Sequence, residues 1–360
     1  MGETGTEPGA PGRQRVANFA ASAAFATASF LAYRFSPHTA GLRAFTNEFA
    51  GLSGQDFLTG IYAGYVASLL VFYLAEQAPG VAKSVAAMRG LFRLAAQLSG
   101  GSRAPLPRDE RLGLLAMLLK GFFAPLMLLS LFEFSSNMAR NAGYLLAFAS
   151  DLPDHFLPLF NAYGFWFLFQ LILFLDVFFY TTGYLVEHPS LKNGIRSVDP
   201  TLLGWVVVLA CYPPFNQVSA RLLGGSVADF PQFASPVVHL AVNGVMLGLM
   251  ALFTSASVAL NLKASNLTHR GIVDRGPYRF VRHPAYVAKN LAWWLGSLPA
   301  LGLAWERSFA AFVFAVSSIA AWNCLYVMRA LTEEAHLRSV DGDYEAYCRR
   351  VRWRFIPGVI

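Results

Sequence analysis

Long apolar runs recur along this chain, at about 17–35, 57–76, 112–134, 156–186, 202–218, 235–262, 284–304 and 308–331. A helix needs about 20 such residues to cross the hydrocarbon core of a bilayer. It also satisfies its backbone hydrogen bonds internally, which lipid requires. The runs therefore predict an all-α, polytopic helical membrane protein with about eight transmembrane helices and both termini on one side. Composition agrees: 55% of the 360 residues are hydrophobic and 14% charged, with a mean hydropathy of +0.44. That is too apolar for an ordinary soluble protein. Pro213-Pro214 must end or break the fifth run. The first run is long for a signal peptide and reads as a retained span.

The basic residues orient this arrangement. Of the 28 lysines and arginines, 21 fall on the side that holds both termini. Five (Arg34, Arg43, Arg140, Arg221, Arg307) fall on the other, and Lys120 and Lys289 lie within spans. A bias of that size follows the positive-inside rule, so both termini are expected in the cytoplasm. The net charge of +7 thus belongs to the membrane boundary, and nucleic acid is not an expected partner. Between 81 and 98, apolar and basic residues alternate at helical spacing, which predicts a helix lying on the cytoplasmic surface. Residues 1–16 are polar and rich in Gly, Pro and Thr, a disordered lead by composition. The expected division is this lead, an N-terminal transmembrane region at 17–234 of about five spans and no assigned role, and a C-terminal region at 235–360. Cys211, Cys324 and Cys348 suggest no disulfide framework, and His188, His239, His269 and His336 show no metal-ligand spacing, so no metal is expected.

Chemistry concentrates between the sixth and seventh spans. Gly276-Pro277-Tyr278-Arg279-Phe280-Val281-Arg282-His283-Pro284-Ala285-Tyr286 packs arginines, a histidine, two tyrosines and two prolines into eleven residues. Pro284 suits the first helical position and holds His283 out of the helical region. A helix beginning there would turn its free N–H groups and positive end toward Arg279, Arg282 and His283, a site for a carboxylate or phosphate. The seventh and eighth spans form a hairpin around Trp305-Glu306-Arg307, so Glu333-Glu334 returns beside His283. A zwitterion bearing a carboxylate, an amino group and a sulfonium would complement those two ends. Tyr278 and Tyr286 can stabilise a sulfonium through cation–π contact, about 0.5–2 kcal/mol each.

The ordered set Gly-Pro-Tyr-x-x-x-Arg-His-Pro-x-Tyr, then Glu333-Glu334 with Leu337, then Tyr344, Tyr347 and Pro357, resembles the isoprenylcysteine carboxyl methyltransferase family over roughly residues 260–360. The resemblance implies S-adenosylmethionine as cofactor. It puts His283, Arg282 and the amides after Pro284 on the cofactor carboxylate, with Tyr278 and Tyr286 lining the pocket. It puts Glu333 or Glu334 on the amino or ribose groups and Leu337 against the adenine. Tyr344 and Tyr347 then sit on an amphipathic tail helix that reads as a lid, with Arg349 and Arg350 on its other face. The implied acceptor is lipidic or amphipathic and enters from the bilayer, with the active site on the cytoplasmic face.

Transfer from a sulfonium needs in-line approach and exclusion of water more than acid–base help. For a carboxylate acceptor, Arg350 or Arg354 is the candidate catalytic residue, orienting it; an amine or hydroxyl would need a base that this reading does not identify. Where relatives often carry a glycine two positions after Pro-x-Tyr, this chain has Ala288, followed by Lys289 and Asn290. Two rival readings stand beside this one. The stretch 347–358 also resembles the end of membrane sterol reductases, which use NADPH but carry an Arg-Asp-x-Glu-type stretch where this chain has Thr332-Glu333-Glu334. A non-enzymatic transporter or scaffold would instead place the function in the first six spans. Lys120 and Asp176, ionisable within spans, are expected to pair with each other or to line a substrate cavity.

Overall fold

The computed structural model describes residues 11–48, 50–77, 79–101, 104–224 and 227–359. Residues 1–10 of the expected lead and Arg103 of the basic segment lie outside the described residues. The helices are α1 (Pro11–Phe35), α2 (Ala40–Ala44), α3 (Gly54–Ala75), α4 (Lys83–Leu98), α5 (Arg108–Ala147), α6 (Leu152–Leu159), α7 (Phe165–Leu185), α8 (Leu202–Leu209), α9 (Phe215–Leu223), α10 (Pro236–Leu260), α11 (Pro284–Arg307), α12 (Phe309–Val340) and α13 (Tyr344–Arg350). α1 thus begins inside the stretch read as a lead. Side-chain caps start several helices where the sequence offers them: a Ser53–Asp56 capping box for α3, Thr201 for α8, Ser235 for α10 and Ser308 for α12.

Among the described residues, six stretches are long and apolar enough to cross a membrane by length and composition: α1, α3, α5, Ala149–Leu185, Pro236–Lys263 and α12. The expected fifth and seventh spans are not among them, so six of the eight expected spans meet this criterion. Run 202–218 is two short helices of 8 and 9 residues on either side of Tyr212-Pro213-Pro214. Neither approaches the roughly 20 residues a crossing needs, because a proline pair removes two amide donors at the break. α11 has the length, 24 residues, but Tyr286, Lys289, Asn290 and Ser297 dilute its apolar character.

The chain divides into two compact units, Met1–Leu129 and Ser130–Ile360, with the boundary inside α5. In the first, α1 packs on α3 and α4. Asn18, buried on α1, donates to Gly80 O and accepts from Ala82 N, pinning the entry to α4. α4 occupies the place expected of an interfacial helix. Its first half buries Ser84, Val85, Ala86, Ala87 and Gly90, whereas its second half exposes Leu91, Phe92, Leu94 and Leu98.

The second unit is built on α7, α10, α11 and α12, with α10 packed on both α7 and α11 and α12 packed on α11 and α8. Phe165, Phe169, Met246, Leu247, Met250 and Ala292 form its apolar core. Polar residues lock the helix pairs: Thr254 donates to Ile172 O at 2.9 Å, and Ser257 donates to the Asp176 carboxylate. Gly183 lets α7 touch the turn after α10, since a Cβ there would lie 2.1 Å from Ala264 O. A two-residue antiparallel pair, β1 (Ser197–Val198) with β2 (Thr268–His269), clamps the loop before α8 to the loop after α10. It sets Ser197 opposite His269 and Val198 opposite Thr268.

Candidate active site

α11 starts at Pro284, with His283 just outside the helix at φ −126°, ψ 59°. Ahead of it, Gly276–Arg279 forms a single 3₁₀ turn. Gly276 takes φ +57° there, a left-handed conformation glycine adopts without cost. α11 and α12 run out and back, so Glu333 and Glu334 arrive beside His283. The tail then closes the arrangement: Arg282 N donates to Trp353 O and His283 N to Arg354 O, both at 3.0 Å.

Glu334, 0% exposed, sits at the centre of these three segments. It accepts from Arg282 Nε at 2.9 Å, His283 Nε2 at 3.2 Å and Arg354 Nε at 3.0 Å and Nη2 at 2.9 Å, and Arg338 Nη2 lies 3.1 Å away. A buried carboxylate is tolerated only when its charge is compensated and its lone pairs are filled. Here three guanidiniums and an imidazole do both, so the carboxylate ties the motif loop, α12 and the tail together. Arg282 also donates from Nη1 to Val351 O and Arg352 O. Three of its five N–H donors are therefore engaged inside the protein.

Beside this cluster lies a cavity. From the motif loop and the start of α11 it is lined by Tyr278, His283 and Tyr286; from α12, by Arg329, Glu333 and Leu337. The opposite wall comes from Tyr180 of α7 and from Asn266 and Thr268 of the loop after α10, with Asp199 and His336 at its edge. The His283 and Tyr286 rings stack 5.3 Å apart at 9°. Tyr286 OH donates to Glu333 Oε2 at 3.0 Å. Burial, with Glu333 acting in the same direction, holds the Tyr278 hydroxyl above the ordinary tyrosine range, so it is a neutral phenol.

Arg329 is 6% exposed. It donates from Nη2 to Asn266 Oδ1 at 3.2 Å, while its Nε has no hydrogen-bond partner among the described residues. Its guanidinium lies over the rings of Tyr286, Tyr326 and Tyr212 at 5.1, 5.2 and 5.9 Å. Arg329 thus brings a buried positive charge to the cavity wall. Sequence reasoning passed over it, treating Arg329 only as one of the basic residues after the last span. The available signal was its position four residues before Glu333, one helical turn away on the same face.

The other candidates sit outside the cavity. Pro284 is buried at the head of α11. Tyr344 and Tyr347 pack with Val351 against Ile272 and Leu337, and Tyr347 OH donates to Tyr278 O at 2.9 Å. They hold the wall of the site from behind. Arg354 is committed to Glu334. Arg350 pairs with Asp274 at 2.7 Å at the surface, where the two side chains are 64% and 51% exposed. Asp176 has Ser257 as its hydrogen-bond partner.

Residues 237–339, in the C-terminal part of the chain, match the profile of the isoprenylcysteine carboxyl methyltransferase (ICMT) family. The stretch contains α10, α11 and nearly all of α12, hence most of the cavity wall. Over this stretch the chain is similar to that family; the match does not extend to the rest of the chain. No curated protein and no solved structure matches the chain significantly.

Proposed function

We propose that this chain is an integral membrane methyltransferase that uses S-adenosylmethionine and acts on a lipidic or amphipathic acceptor at the cytoplasmic face. One observation carries the reading. Tyr278, His283 and Tyr286 from one half of the motif, and Glu333 and Leu337 from the other, line a single cavity together with Arg329. The groups present fit the cofactor. Arg329 and the His283 end of α11 offer a carboxylate site, and Glu333 keeps one oxygen free of the Tyr286 bond for an ammonium or ribose hydroxyl. Tyr278 and Tyr286 present aromatic faces for a sulfonium, and Leu337 offers an apolar surface for adenine.

When bound, this cofactor supplies an electrophilic methyl group. The protein's part is to orient and to keep water out. Tyr286 is held on both sides, by the stack with His283 and by the bond to Glu333, so its ring enters the reaction space already placed. Tyr344, Tyr347 and Val351 close the back of the site with apolar surface. The cytoplasmic location rests on the bias of basic residues toward one side of the spans.

Calorimetry on the purified protein in lipid nanodiscs, with S-adenosylmethionine and NADPH as alternative titrants, tests the reading. Saturable binding of S-adenosylmethionine, weakened at least about tenfold in Glu333→Gln through loss of a charged contact, is expected. Labelled methyl should pass from the cofactor to a lipid-extractable product. Saturable NADPH binding without affinity for S-adenosylmethionine would favour a reductase instead.

A further inference from the structure

Lys289 lies five residues into α11, and its ammonium is in a cage of rings from three helices. The Nζ atom is 5.5 Å from the centroid of Phe253 on α10, 5.4 Å from Trp293 on α11 and 5.8 Å from Tyr326 on α12. Among the described residues no carboxylate is ion-paired with it. Asp176 and Asp229 feel its charge, but Asp176 has Ser257 as its partner. Ring faces attract an ammonium without using its three N–H donors. An ammonium among apolar helices is costly, and such residues mark binding sites when no partner accounts for them.

The position of the cage gives its use. Tyr326 is shared, with Arg329 lying 5.2 Å from the same centroid. Two cations thus meet at one ring, Arg329 lining the cavity and Lys289 further along the bundle from it. Each of the two cations can take an anion of its own. Arg329 is matched by the cofactor carboxylate under the function proposed above. Lys289 then remains for the second molecule of the reaction, and neither Arg350 nor Arg354 is placed to take that part.

We propose that Lys289 binds the anionic head group, carboxylate or phosphate, of the amphipathic acceptor, whose apolar chain lies along α10–α12. This rests on the methyltransferase reading. Lys289 is a specificity residue in this scheme: it selects anionic amphiphiles over neutral ones and does not touch the cofactor.

The test measures binding without turnover, in nanodiscs of neutral lipid, with tritiated palmitate, lysophosphatidate and hexadecanol as probes. Cofactor affinity is measured separately by calorimetry. Palmitate, lysophosphatidate or both should bind saturably, and hexadecanol at least about tenfold more weakly, the loss expected for one charged hydrogen-bonded contact. A preference between the two anions identifies the head group. Lys289→Met should reduce anion binding to the hexadecanol level, Lys289→Arg should keep it within a few-fold, and both should bind S-adenosylmethionine as the parent does. Lys289→Gln, which keeps a polar group in the cage, provides a second loss-of-charge variant should Met disturb folding. Equal binding of anionic and neutral probes by the parent protein, or undiminished anion binding in Met and Gln variants, overturns the proposal. Absence of S-adenosylmethionine binding in the parent overturns the methyltransferase reading instead, and the two failures are read on separate axes.

Discussion

Replacing Glu334 by glutamine should release the tail from the motif loop. The wild-type carboxylate faces Arg282, Arg338, Arg354 and His283. An amide keeps the shape but loses the charge, and turns an NH₂ toward groups that are themselves donors. Removing one partner of a buried ion cluster costs about 3–5 kcal/mol. Arg338 and Arg354, 40% and 23% exposed, can turn toward water, whereas Arg282, at 8%, cannot. The lower end therefore applies, about 3 kcal/mol, or roughly a hundredfold in the local opening equilibrium at 1.4 kcal/mol per tenfold. The amides of Arg282 and His283 report it directly, because their acceptors are Trp353 O and Arg354 O. Hydrogen exchange of Glu334→Gln in detergent should show these two amides exchanging about a hundredfold faster, with those of α10 unchanged. Unaltered exchange at 282 and 283 would refute the idea that one carboxylate joins the three segments.

Three further outcomes follow from the same geometry. Gly183→Ala places a Cβ 2.1 Å from Ala264 O, a backbone atom that cannot swing away, so thermal stability should fall by roughly 1–3 kcal/mol equivalent, as for an overpacked site. Arg329→Met should weaken S-adenosylmethionine binding at least about tenfold, on calorimetry, while the tail amides keep their protection. His269 supplies a pH dependence. Burial pushes its imidazole below the ordinary histidine value, as do Arg196 and Lys263, against the pull of Asp341 at 2.7 Å. The folded protein therefore resists protonation there, so the contribution is full above about pH 6.5 and is lost as pH falls through and below that value. Thermal unfolding from pH 8 to pH 5 should show this decline, and His269→Gln should flatten part of it.

Much of the helical plan was legible because apolar runs and punctuation are local signals. Pro284 as the first residue of α11, Pro213-Pro214 as a break and 81–98 as a separate helix all follow from residue type and spacing. The fifth and seventh spans were harder. Residues 202–209 are strongly apolar, but past the prolines Asn216 and Gln217 interrupt the run, so the break the prolines predict leaves two short helices. The meeting of His283 with Glu334 was visible from hairpin arithmetic. How the charges are shared was not, because it depends on where the tail returns. Arg282, expected to face a ligand, directs three donors to Glu334 and two carbonyls once residues 351–354 lie alongside. Arg329 went unnoticed for the converse reason: its surroundings come from Asn266, Tyr212 and Tyr286, residues distant in the chain.

The link between the motif loop and residues 353–354 bears on biosynthesis. Glu334 leaves the ribosome before Arg338 and Arg354, so for a time it has only the upstream Arg282 and His283 to neutralise it. The nascent hairpin must wait for some twenty more residues before its acidic end is fully shielded. Completion of the site therefore waits on residues well downstream of the hairpin, and a stall or truncation just short of Arg354 would leave an inserted hairpin with an unfinished pocket.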